Sequence, residues 1–390
     1  MSNPTILAFV RSLPKVELHI HLDGSFSNEM LFSALKKDID LPGHVVLAWD
    51  PESVFKIKDT LLECKTIEHF HSICTCKGKG SLQEMIKCFE LFCPIVRGNY
   101  ELLEALAYEF VKQQARNNVV YTEVRYSPHL LDLNGSFTKS DQPIYPEKVI
   151  QSVTEGLRRG VQEYHVTVNQ ILCCICWRSD WADEIVSLAE KYKIDFPCAV
   201  VGVDIAAGEA HFDGVKYPEL HGPHFAAMQR AQRLGLNITL HAGEETNAQV
   251  VKRAVEEYGA MRIGHGYRGV EDADLIKYVK EKNVHFEACP TSSFETGAWI
   301  GNSGDWMAHP IKKMFQNQLS VGINSDDPTV FDCTIVDEFV LCHEAMGISI
   351  EQFEQSTQAA IGAAFIDEET KFTLRQLLET WKSNNRHYII

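Results

Sequence analysis

From Lys15 to Leu22 the chain alternates, with Val16, Leu18, Ile20 and Leu22 on one parity and Lys15, Glu17, His19 and His21 on the other. A period of two predicts a β-strand, whose successive side chains project to opposite faces. Two imidazoles therefore project the same way near its carboxyl end. Asp23 follows on that parity, and at Gly24 the backbone can turn. Such a His pair makes a good claw for a metal, and it is equally compatible with an ordinary polar strand face.

Beyond this strand, Asn28 to Lys37 reads as a short helix. Leu41 to Ser81 reads as irregular, with a Pro-Gly break and a short helix around Thr60 to Cys74. Leu82, Met85, Ile86, Phe89 and Phe92 recur at helical spacing and predict a helix over Ser81 to Cys93 with an apolar stripe, as a core-packing helix has. A longer helix follows from Tyr100 to Arg116. A regular alternation then sets in. Strands are expected over 119–126, 167–177, 199–205, 237–240, 262–266, 284–289 and 319–324. Between them the pattern predicts helices over 146–164, 180–192, 222–234, from 244 to 258, 271–282 and 310–317, with closing helices over 336–345, 350–364 and 368–383.

Eight β units separated by helices predict an α/β protein of the (β/α)8, TIM-barrel class with extra helices. An open, doubly wound sheet is the alternative. No linker or composition shift divides the chain, so one domain is expected over 1–390, with the barrel from about 14 and an inserted helical region over about 41–98.

Composition narrows the function classes. A net charge of −16 opposes a nucleic-acid backbone or a membrane surface at long range, so neither is an expected partner. The only apolar run near the start, Ile6 to Val10, is too short for a signal-peptide core, and no later run is long enough to span a bilayer. A cytoplasmic location is therefore expected. Cys173, Cys174 and Cys176 sit in an apolar run and read, like most of the twelve cysteines, as free thiols. Cys74 and Cys76, beside Lys77-Gly78-Lys79-Gly80, are expected in an exposed loop and are the exceptions.

Catalytic groups of a barrel stand at the carboxyl ends of its strands. There the chain places His19 and His21 on the first, His241 and Glu244 after the fifth, His265 on the sixth, and Asp326 with Asp327 after the eighth. Each alone has a structural explanation, but their joint placement on one rim points to chemistry. Three imidazoles and a carboxylate suit Zn²⁺, which leaves a position for water and lowers its pKa toward neutrality. Glu244 and His265 remain for proton transfer. Two other patterns are set aside. His285-Phe286-Glu287 has an H-x-E spacing but lacks the P-C-x-x-C that accompanies it in cytidine-type zinc deaminases. Cys173 and Cys176 have C-x-x-C spacing without a second pair and would face opposite ways on a strand.

The ordered set Val16-Glu17-Leu18-His19-Ile20-His21-Leu22-Asp23-Gly24, Glu123-Val124-Arg125-Tyr126-Ser127-Pro128, His241-Ala242-Gly243-Glu244, Gly264-His265-Gly266 and Ser325-Asp326-Asp327-Pro328 resembles the animal-type adenosine deaminases. The likeness runs from about Pro14 to the last helices. It implies one Zn²⁺ per chain held by His19, His21, His241 and Asp326. It also implies Glu244 as proton donor to purine N1, His265 as orienter and base for water, Asp327 on N7, and Asp23 on a ribose hydroxyl. His21 would also face the substrate. The stripe Leu82, Met85, Ile86 and Phe89 matches the family's apolar gate helix. After the fourth strand, where the family has Gly then Asp, this chain has Ala206-Ala207-Gly208-Glu209. Gly208 is taken as the backbone contact to N3, with Ala207 aligning equally well. The implied reaction is hydrolytic deamination of adenosine and 2′-deoxyadenosine to inosine and 2′-deoxyinosine with ammonia, in purine salvage or catabolism. A relative acting on AMP or N6-methyl-AMP, or a non-catalytic growth-factor-like binder, are the alternatives. The expected partner is a small purine nucleoside. The oligomeric state stays open, a monomer included.

Overall fold

The computed structural model describes residues 4–37, 41–47, 50–78, 80–136, 142–194, 197–299 and 305–385. Lys79 of the expected exposed loop and both ends of the expected 1–390 domain lie outside them. Eight parallel strands form one sheet: β1 (Lys15–His21), β2 (Val119–Tyr126), β3 (Thr167–Ile175), β4 (Val200–Ala206), β5 (Asn237–Ala242), β6 (Arg262–His265), β7 (His285–Ala288) and β8 (Ser320–Ile323). Helices lie between successive strands, as a parallel sheet requires. The sheet curls into a nearly closed barrel, as the strand count predicts.

Closure is made at the end of the short β8. The amide of His21 donates to Asp326 O at 2.8 Å, and Asp326 N–H donates to His19 O at 3.1 Å. Below them the Asn324 side-chain oxygen accepts from the amides of Leu18 at 2.8 Å and His19 at 3.1 Å. A side-chain amide thus takes the place of the ladder where β8 has stopped. The same seam sets Asp326 beside the two histidines of β1.

The alternation in β1 resembles that of a half-exposed strand, yet Lys15, Glu17 and His19 are as buried as Val16, Leu18 and Ile20. The apolar parity joins the hydrophobic core, and the polar parity fills the barrel. Inside it, Arg125 bridges Asp204 at 2.7 Å and Glu287 at 2.6 Å, while Arg262 bridges Glu123 and Glu287, both at 2.7 Å. Buried charges persist only when paired in this way. Outside, helices Tyr100–Arg116 and Pro146–Tyr164 approach closely because Gly156 has no side chain. A Cβ there would stand 2.1 Å from Glu104 O.

Several elements depart from expectation. The chain opens with a helix, Pro4–Ser12. The stretch read as irregular holds an antiparallel hairpin (His44–Leu47 with Asp50–Lys56) and two helices, Ile57–Leu62 and Ile67–Cys74. Cys74 and Cys76 are buried, not loop-exposed. Cys74 lies on the inner face of its helix, and Cys76 N–H donates to Val330 O at 2.8 Å, tying the segment to the loop after β8. Among the described residues no cysteine forms a disulfide, and all twelve are buried. β3 ends at Ile175, so Cys176 sits in the following turn, not on the strand, and is buried there as Cys173 is. The helix expected from Gly222 begins at Pro218, with Pro223 inside it. The Glu219 carbonyl, to which a proline four residues on cannot donate, is taken by the Ser179 hydroxyl at 2.9 Å. Among the described residues, no helix is long and apolar enough to cross a membrane.

Candidate active site

The barrel's carboxyl-terminal rim gathers the unusual residues. Nitrogen and oxygen atoms of His19, His241, His265 and Asp326 lie within 4.8 Å of one another, and His21, Asp326 and Asp327 form a second such group sharing Asp326. His19 Nε2 stands 3.1 Å and His21 Nε2 3.5 Å from Asp326 Oδ1, while His265 Nε2 lies 3.9 Å from Oδ2. Two ligands of one tetrahedral ion at bond lengths near 2.1 Å stand about 3.4 Å apart, so His19 and His21 are already near that spacing from Asp326, and the widest pair in the group would close by up to about 1.4 Å around an ion. His19 Nε2 is buried without a hydrogen-bond partner, as a ligand atom awaiting an ion would be. The donor set fits. Of the expected ligands, His19, His241 and Asp326 fall in the tighter group and His21 in the adjoining one, and His19 and His21 face the same Asp326 oxygen, Oδ1.

Two of the imidazoles are held at the rear from inside the barrel. His19 Nδ1 lies 2.8 Å from Glu287 Oε2, and His241 Nδ1 lies 2.9 Å from Asp204 Oδ2. A carboxylate accepts only, so Nδ1 carries the proton and Nε2 keeps its lone pair toward the centre. Arg125 joins the two carboxylates, and the Thr239 hydroxyl donates to Glu287 at 3.0 Å. The positions 125, 204 and 287 were not among the site residues expected, and Glu287 belonged to a motif set aside. Their signal was a charged residue inside a predicted buried strand, clearest for Asp204, the single polar side chain of its strand.

Two rim residues, His265 (φ 63°) and Asp326 (φ 63°), have left-handed backbones, as does Ala207 (φ 64°). Such conformations cost a non-glycine residue about 1–3 kcal/mol and persist where the surroundings impose them. Gly208, at φ 114°, adopts a backbone that side chains rarely allow.

Protonation divides the acids. Burial, then the charges of Asp326, Glu245 and Glu209, holds Glu244 well above the ordinary carboxyl range. Burial and the neighbouring Asp326 do the same to Asp327. Burial raises Asp23 to about 7. Asp326, although buried, is held low by His19, His265 and His21. Burial keeps His265 neutral by moving its pKa well below the usual value. Near pH 7 Glu244 and Asp327 thus carry a proton, Asp23 lies close to its midpoint, Asp326 is ionised and His265 is neutral. Glu244 Oε2 lies 3.7 Å from His265 Nε2, and the Thr296 hydroxyl donates to Glu244 Oε1 at 3.4 Å.

Above these groups lies a cavity of about 60 Å³, room for a few waters. His21, Asp23, Ala207, Gly208, His241, Glu244, His265, Asp326 and Asp327 line it. Its roof is the apolar stripe Leu82, Met85, Ile86 and Phe89 of helix Leu82–Val96. The stripe is core-packed and site-lining at once. Leu130, Ile175 and Ala206 complete the walls. No Lys or Arg is among the described lining residues.

Comparison with known proteins is consistent over most of the chain. The adenosine deaminase family model matches residues 14–381. Adenosine deaminase of Bos taurus is 34% identical over 370 residues, covering 94% of this chain and 93% of that protein. Among solved structures, the Arabidopsis N6-mAMP deaminase superposes with a TM-score of 0.73 at 23% identity, covering 96% of this chain and 99% of that one. An amidohydrolase from Burkholderia ambifaria with bound Zn does so with a TM-score of 0.77 at 21% identity, covering 98% and 95%. At those identities the two structures speak to the fold.

Proposed function

The chain belongs to the adenosine deaminase family, and we propose that it hydrolyses adenosine and 2′-deoxyadenosine to inosine and 2′-deoxyinosine with release of ammonia. His19, His21, His241 and Asp326 would hold one Zn²⁺, a reading supported by the donor set and by the Zn-bound structure of the same fold. When bound, the ion supplies a water acid enough to serve as nucleophile near neutral pH.

The chain's own groups do the rest. His265, neutral and aimed at the cluster, orients the attacking water and takes its proton. Glu244 enters the reaction protonated and donates to N1, so that charge does not build on the ring as C6 becomes tetrahedral. Asp327 donates to N7, which needs the carboxyl proton that its burial and Asp326 retain. Asp23, whose buried Oδ1 has no hydrogen-bond partner, receives a ribose hydroxyl. Gly208 offers its backbone amide to N3, and Ala207 beside it is the other candidate. The roof helix must lift to admit a nucleoside, since the closed cavity holds only a few waters; once shut, it excludes bulk water.

The observation that carries the reading is a cavity combining this cluster with proton-bearing carboxyls and, among the described residues, no lining Lys or Arg. A nucleotide phosphate calls for Arg or Lys, so the neutral nucleoside is favoured over AMP or N6-methyl-AMP. Twelve buried cysteines outside any disulfide suit a reducing compartment, and we place the enzyme in the cytoplasm, acting in purine salvage or catabolism. The test is turnover of adenosine, 2′-deoxyadenosine and AMP by metal-replete protein, beside metal analysis. Adenosine should be converted to inosine and AMP left essentially untouched. His21→Ala and Asp326→Ala should lose metal and activity together, and Glu244→Gln should keep the metal and lose turnover. Absence of inosine, or preference for AMP, would refute the reading.

A further inference from the structure

Glu244 stands on a turn that has little of its own to hold it. After β5 the chain bends through Gly243 (φ 73°) and runs irregularly to Asn247, where the next helix begins. The turn's backbone donors instead converge on one side chain from another strand end. Glu209, just after β4, accepts the Glu244 amide on Oε1 at 2.7 Å and the Thr246 amide on Oε2 at 2.9 Å; the Thr246 hydroxyl donates to that second oxygen as well. Glu209 is 2% exposed, and among the described residues its carboxylate makes no ion pair within 4.0 Å. A buried, unpaired carboxylate satisfied by two amides and a hydroxyl is costly unless those donors are fixed in place. The near side of the turn is tied in the same manner, the Arg268 amide donating to Gly243 O at 3.0 Å.

We propose that Glu209 is a positioning residue for Glu244: its two carboxylate oxygens lock the turn after β5 so that the Glu244 carboxyl is presented into the cavity. The proposal rests on the reading of Glu244 as proton donor. The link runs through a single peptide, because the amide held by Glu209 belongs to Glu244 itself. Displacing that amide displaces the acid, while the metal-cluster residues, fastened from inside the barrel by Glu287 and Asp204, stay where they are. The position of the acid therefore depends on one side chain that need not touch the substrate.

The experiment measures kcat and KM for adenosine, per folded molecule, in Glu209→Ala, Glu209→Gln, Glu244→Gln and the Glu209→Ala/Glu244→Gln double variant. Glu209→Ala should lower kcat roughly 100-fold, the size of effect a misplacement near 1 Å produces, with KM within about threefold. Glu209→Gln keeps the size of the side chain and one accepting oxygen, so its loss should be smaller, roughly 10-fold, and it guards against failure of the alanine variant to fold. The effect of Glu209→Ala should vanish when Glu244 is already Gln, because the two residues act as one unit. Unchanged kcat in both single variants, or the same loss in both backgrounds, overturns the proposal and leaves Glu209 a loop brace. Full turnover by Glu244→Gln alone defeats the donor reading instead, whatever Glu209 does.

Discussion

Replacing Glu287 by Gln tests whether the barrel interior or the rim governs metal binding. The Glu287 carboxylate is fully buried and meets four donors: His19 Nδ1 at 2.8 Å, Arg125 Nη2 at 2.6 Å, Arg262 Nε at 2.7 Å and the Thr239 hydroxyl at 3.0 Å. An amide of the same shape retains one accepting oxygen and turns an NH₂ toward an arginine, which can only donate. Removing one partner of a buried ion pair typically costs about 3–5 kcal/mol, because the other charge is left uncompensated. Here each guanidinium keeps a second carboxylate at 2.7 Å, Asp204 for Arg125 and Glu123 for Arg262. That places the expected loss at the lower end, about 3 kcal/mol. His19 also loses the acceptor that fixes its tautomer, and substitutions behind a ligand commonly weaken metal affinity about 10–100-fold. Urea unfolding of the metal-free protein reads the first effect, and chelator competition on folded protein reads the second. Unfolding free energy within about 1 kcal/mol of the parent, with unchanged affinity, would show that the four contacts do not matter and refute the reasoning.

Two further outcomes follow from geometry and from burial. Gly24→Ala would place a Cβ 1.8 Å from Asp327 Oδ1, so the Asp327 side chain must move away; kcat/KM for adenosine should fall roughly 100-fold with metal content unchanged, and near-parental activity would show that Asp327 is not needed where it stands. Burial raises Glu338 to about 7, against about 4.3 for an unfolded chain. Its stabilising contribution is therefore complete below about pH 4 and is lost as pH rises through 7, a fall of up to roughly 4 kcal/mol. Glu338→Gln should flatten that part of the profile when urea unfolding is compared at pH 5 and pH 8, and an unaltered slope would place the titration elsewhere.

Much of the rim was legible because it depends on local rules. Strand parity puts His19 and His21 on one side, the strand-helix repeat numbers the strands, and a barrel places strand ends together. His241, Glu244, His265, Asp326 and Asp327 follow from those premises, and all line the cavity or its floor. The hairpin between Leu41 and Ile57 and the burial of Cys74 and Cys76 were not legible. Both depend on what the excursion packs against, and a basic run beside two cysteines carries no mark of that.

By itself the amino-acid sequence determined the strand count, the parity of the polar positions and the chemical types that meet on the rim, since each depends on neighbours a few residues away. Only the tertiary structure decided that the polar face of β1 points into a buried charge network, that Glu287 stands behind His19, and that Glu209 holds the turn of Glu244. The physical reason is distance along the chain. His19 and Glu287 are 268 residues apart, and Glu209 and the Glu244 amide 35, yet each pair is in hydrogen-bond contact once the barrel closes. No local period records which carboxylate will face which imidazole. That pairing is set by the register and closure of the sheet.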